Sequence, residues 1–118
     1  MSDFWIYIQS SMPFDDSVTG LFKDFNRQCP SHVMVSEEVA GLDGEKNGDS
    51  KAALKVDALS LEPVTNLICQ LLGIATAEIT LNTTGEDFTE SIHLKCPIRV
   101  KGRTLPEILE EVKRIARK

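Results

Sequence analysis

Leu54-Lys55-Val56-Asp57-Ala58-Leu59-Ser60-Leu61-Glu62-Pro63-Val64 is the stretch on which the fold turns. Leu54, Val56 and Ala58 alternate as a short strand, yet Leu54, Ala58, Leu61, Thr65 and Ile68 also recur at helical spacing. Pro63 weighs against one continuous helix, because it removes a backbone donor and disfavours a helical Glu62. The preferred reading is a strand, then a helix capped by Ser60 that tolerates Pro63 in its first turn. Val64, Leu67, Ile68, Leu71 and Leu72 form its apolar face, Cys69 sits beside that face, and Gly73 ends the helix.

Upstream, Phe4 to Ile8 reads as a strand with Phe4, Ile6 and Ile8 on one face and Trp5 and Tyr7 on the other. Apolar or aromatic residues on both faces suggest a central strand covered on two sides. Val18, Leu21, Phe22, Phe25 and Cys29 make one helical stripe behind the acidic start Asp15-Asp16, and Pro30 marks its stop. His32 to Val39 alternates again, and the polar run Gly41 to Ser50 is a loop. Downstream, Ala77, Ile79 and Leu81 define a half-buried strand. Thr84 to Asp87 supplies a turn, and Ser91 to Val100 returns as a hairpin partner. Thr104-Leu105-Pro106-Glu107 is a capping-box pattern that opens a helix with Leu105, Ile108, Leu109, Val112 and Ile115 on its core face.

The order is β-α-β-β-α-β-β-α, an α+β chain. Its first six elements can be laid out as a ferredoxin-like sandwich, to which a hairpin strand and a C-terminal helix are added. At 118 residues the chain fits one domain, residues 1–118. The charge of −5 favours solubility and opposes wholesale nucleic-acid binding. No apolar run is long enough to span a bilayer. The start, Met-Ser-Asp-Phe-Trp, lacks the pattern of a secretory signal, so a cytoplasmic location is expected. Cys29, Cys69 and Cys96 are an odd set without paired spacing, which reads as reduced thiols of the core.

The last strand separates its faces. Ile92, Leu94, Cys96, Ile98 and Val100 share one parity, and His93, Lys95, Arg99, Lys101 and Arg103 the other, with Pro97 pointing to an edge or a bulge. Charge is split in the same place: residues 95–118 carry eight Lys/Arg against three Asp/Glu, and residues 1–94 carry five against fifteen. The basic row reads first as protection of an open edge. Its functional reading, carried by His93, Lys95, Arg99, Lys101 and Arg103, is a docking face for a phosphate or an acidic partner.

Other constellations fall short of chemistry. Asp43, Glu45, Asn47 and Gly48 imitate a calcium loop, but its last ligand position is Leu54. Cys29 with His32, and His93 with Cys96, are half-sites at best for a metal or a thiol nucleophile. Asp15-Asp16 and Glu37-Glu38 are neighbours in sequence, explained by capping and by strand alternation. No nucleophile elbow or phosphate-binding glycine loop is present. No metal and no cofactor are expected. Phe4, Trp5 and Tyr7 could anchor a partner, but core packing is the preferred reading of them.

In its layout the chain resembles the small adaptor domains called effector-associated constant components of bacterial conflict systems. The matching segments are Phe4 to Ile8, Val18 to Cys29, Val64 to Leu72, Ala77 to Val100 and Leu105 to Ile115. The similarity is one of element order and carries over no site residue. The leading functional expectation is a non-enzymatic protein-interaction module, an adaptor or a small inhibitor of immunity-protein type. The alternative is a ligand-binding or enzymatic domain whose site is assembled from scattered residues such as His93, Arg99, Asp57 and Glu78. A protein partner is expected, membrane and nucleic acid are not, and a homo-oligomer is left open.

Overall fold

A computed structural model describes residues 3–37, 50–86 and 89–116. Five strands and three helices follow in the expected order: β1 (Phe4–Ser10), α1 (Asp16–Gln28), β2 (Val33–Glu37), β3 (Ser50–Val56), α2 (Leu61–Ile74), β4 (Glu78–Thr84), β5 (Thr89–Lys95) and α3 (Leu105–Ala116). The strands form one antiparallel sheet in the order β2-β3-β1-β4-β5. The first four strands and two helices make the ferredoxin-like sandwich, and β5 and α3 extend it on one side.

Local chemistry explains the boundaries. Asp15 Oδ1 accepts the Val18 amide at 2.9 Å and opens α1. Around Pro63 the chain divides as its backbone chemistry requires, β3 ending at Val56 and α2 starting at Leu61. Ser60 is the cap residue of α2, but its side chain works elsewhere. Its Oγ accepts from the Asp57 amide at 3.0 Å and donates to the Lys55 carbonyl at 2.7 Å, so it braces the β3–α2 turn. The helix runs one residue past Gly73 to Ile74. At α3 the Thr104 hydroxyl accepts the Glu107 amide at 3.4 Å and donates to Glu107 Oε1 at 3.1 Å.

The three helices pack on one face of the sheet. There Ile6, Ile8, Leu54, Val56, Ile79, Leu81, Ile92 and Leu94 meet Phe22, Phe25, Ile68, Leu71, Leu72, Leu105, Ile108 and Val112 in a single apolar cluster. Side chains of this size stabilise the fold by about 1.5–3 kcal/mol each when fully buried, before the entropy of ordering them is set against it. The opposite parity of the strands forms a second face that no described element covers. Among the described residues no helix is long and apolar enough to cross a membrane.

Two expectations change here. β1 is central, but among the described residues a helical layer lies on one side only, so Trp5 is half-buried and Tyr7 is 43% exposed. The final strand stops at Lys95, before the Cys96–Pro97 bond, and residues 97–104 leave the sheet. Pro97 lacks the N–H that pairing requires. The Ile98 amide instead donates to the Leu72 carbonyl at 2.8 Å, which straps this segment to α2. The calcium-like stretch Asp43 to Gly48 lies outside the described residues.

Candidate functional site

The shortened strand breaks up the basic row. His93 and Lys95 stand on the uncovered face of β5, where the His93 ring lies 3.0 Å from the Thr80 hydroxyl and 3.6 Å from the Glu78 carboxylate. Arg99 lies on the strap, beside a depression formed with α2. Lys101 and Arg103 precede α3, where their amides donate to Glu111 at 3.1 Å and to Glu107 at 3.4 Å. Two of the five residues thus share a face, and the other three follow the strap. β5 itself stands at an edge of the sheet.

The scattered set proposed as an alternative site is also distributed. Glu78 adjoins His93, but Asp57 follows the opposite end of the sheet, since Phe4 pairs with Val56 whereas the Ser11 amide donates to Glu78. Asp57 belongs to a separate cluster with His32. One carboxylate oxygen of Asp57 lies 2.8 Å from His32 Nε2, and the other accepts the Leu59 and Ser60 amides at 3.0 Å each. His32 Nδ1 faces the Pro30 carbonyl at 3.1 Å. Both ring nitrogens therefore face acceptors, an arrangement that suits the doubly protonated imidazolium. The hydrogen bond to Asp57 raises the His32 pKa above its ordinary 6.5, and the reciprocal bond holds Asp57 at about 2.

Cys29 precedes this cluster in the chain but gains no base from it. The imidazole is already committed, and the Cys29 thiol contacts the Leu59 carbonyl at 3.9 Å. Burial, followed by the Asp57 charge, raises the Cys29 pKa. Burial also raises Cys69, ahead of the Glu111 charge, and pushes Cys96 up to about 11. A thiolate nucleophile requires the opposite shift. Among the described residues no group of three potential metal ligands converges. The His32–Asp57 pair is a structural clamp that ties the start of β2 to the β3–α2 turn.

The distinctive surface is the uncovered sheet face. Trp5 and Tyr7 follow one another on it with ring centroids 6.2 Å apart and planes inclined by 21°. Across the sheet Trp5 lies opposite Lys55 and Thr84, and Tyr7 opposite Ala53 and Asn82, with Met34 beyond Ala53. Small Ala53 leaves an open depression of about 520 Å³ between Tyr7, Met34 and Lys51. Sequence reasoning preferred the core for Trp5 and Tyr7. It passed over Met34 because strand alternation alone does not say which face receives helices.

Compared with models of protein families, with curated proteins and with solved structures, the chain matches none.

Proposed function

We propose that this domain is a non-enzymatic protein-interaction module, of adaptor or small-inhibitor type, whose docking surface is the uncovered face of the sheet. The observation that carries the reading is the aromatic pair Trp5–Tyr7 on the central strand, continued by Met34, which is 62% exposed. Aromatic side chains supply much of the binding energy of protein interfaces, because a large apolar area is fixed at small entropic cost. The net charge of −5 favours a protein over a nucleic acid as the occupant.

The test is affinity capture from the native host with two baits, the wild-type chain and a Tyr7→Ser/Met34→Ser variant of equal thermal stability. The reading expects a stoichiometric protein partner retained by the first and lost by the second. Recovery of the same proteins by both baits, or of a tightly held small molecule without a protein, contradicts it.

A further inference from the structure

The outer side of β2 differs from an ordinary sheet edge. The Lys55 amide donates to the His32 carbonyl at 2.9 Å. Bonded residues alternate along an antiparallel pair. Met34 and Ser36 therefore turn their backbone groups towards Ala53 and Lys51 of β3, and Val33, Val35 and Glu37 turn theirs outward. No described strand meets them there. Edges are ordinarily blunted by lysine, proline or a bulge. β2 has no lysine or proline, its charge sits at its last residue, and Met34 and Val35 are 62% and 46% exposed.

Each face of β2 also adjoins a depression. On the uncovered face it is the one beside Tyr7 and Met34. On the helical face a groove of about 360 Å³ runs between β2 and α1, with Phe22, Val33 and Val35 as its apolar lining and Lys23 on its rim. Among the described residues neither depression is lined by a carboxylate, on a chain of net charge −5.

We infer that β2 is an addition site for an extended segment of a partner protein, which pairs with Val33, Val35 and Glu37 as a further strand. This rests on the interaction function proposed above and specifies its mode. Successive side chains of an extended segment point to opposite faces. One parity therefore enters the groove beside Phe22, and the other lies against Tyr7 and Met34. In this mode main-chain hydrogen bonds give affinity, and the pockets for alternate side chains give selectivity. The chemistry of the segment follows from the lining: apolar where it meets the two depressions, acidic at the flank that passes Lys23. A second copy of this chain is a poorer occupant. A five-residue strand is only about 17 Å long, and two rigid domains joined along it alone bury well under the roughly 1,200 Å² of stable complexes.

The test pans a displayed library of random short peptides against the whole chain. Each enriched peptide is then measured in synthetic form against the wild type, Val35→Pro, Glu37→Pro and Tyr7→Ser. Proline is tolerated where the lost donor faces outward from an edge. Glu37→Pro repeats the change at the strand end, where the fold is least at risk, and circular dichroism checks that each variant is folded. The expected peptides alternate apolar residues beside an acidic flank, and bind each proline variant roughly tenfold more weakly than the wild type. Absence of enriched peptides, or undiminished affinity for both folded proline variants, overturns the inference. So does a concentration-dependent dimer that Val35→Pro abolishes, which assigns the edge to a second copy. If Tyr7→Ser alone loses the peptides, strand addition fails while the uncovered face stands as the docking surface.

Discussion

The two edges of the sheet are built on opposite terms. At β5 the outward residues are Thr89, Ser91, His93 and Lys95, all polar or basic, because the Cys96 amide donates to Ala77 and so fixes the alternate residues as inward. The strand then ends at a proline, and the strap and α3 close over its helical side. Lys113 pins α3 to β5 through Glu90 at 2.8 Å and also contacts Glu110 at 3.2 Å. At β2 the outward residues are Val33, Val35 and Glu37, and the helical side is left with a groove. An acidic protein thus places histidine and lysine on one edge and valines on the other. The difference teaches that a basic row and a binding edge need not coincide: charge at β5 discourages pairing, and its scarcity at β2 permits it.

The contrast can be broken first where β5 is closed over. Ile108, on the core face of α3, is fully buried, and Ile108→Ala is expected to cost about 2–5 kcal/mol in urea unfolding. A loss well below that range means that α3 does not seal the β5 side. Gly102 on the strap comes next. A methyl group there meets the Ile108 amide nitrogen and Cγ1 at 2.9 Å each, so Gly102→Ala should lose about 1–3 kcal/mol. An unchanged unfolding midpoint contradicts such tight closure.

The β2 side has a pH-dependent anchor instead. The His32 pKa is raised in the fold, so its stabilisation is complete below the unfolded value of 6.5 and is lost as pH rises through the folded value. Asp57 is depressed to about 2, so its stabilisation is present above the unfolded value of 3.8 and is lost as pH falls through about 2. Between 3.8 and 6.5 both are in force. Unfolding midpoints should therefore fall above that window, and Asp57→Asn should flatten the alkaline fall. Persistence of the same slope in the variant removes the pair as its cause. The smallest expected effect on stability is that of Val35→Lys, within about 0.5 kcal/mol at so exposed a position. That substitution gives β2 the device that β5 already has, and it should abolish peptide binding without a change in the circular dichroism spectrum.

Much of the fold was legible because local chemistry and periodicity agreed. Pro63 divided a strand from a helix, and Thr104 with Glu107 opened α3 on the residues read as its cap. Ile79 and Leu81 faced the core as expected, whereas Ala77 fell just before the strand. The extent of the last strand was overestimated, since alternation runs on through Ile98 and Val100 although Pro97 cannot sustain the ladder. The candidate site was less legible, for a physical reason. Alternation reports two faces of a strand but not which one receives the helices, so Trp5 and Tyr7 were preferred for a core they do not enter. Whether a strand is an edge depends on the order of strands across the sheet, which Val33-Met34-Val35 does not encode. The missing cation in that run was the available signal, and it gains meaning only once β2 stands at the edge.

Residue-resolved amide hydrogen exchange, with and without a saturating enriched peptide, tests the central claim most directly. In the free chain the amides of Met34 and Ser36, bonded inward, should be protected, and those of Val33, Val35 and Glu37 should exchange readily. On binding, the latter three should slow by roughly tenfold or more as new backbone bonds form, while Ser91 and His93 on β5 keep their free rates. Unchanged exchange at Val33, Val35 and Glu37 with peptide bound, or protection that appears on β5 instead, contradicts the assignment of β2 as the working edge.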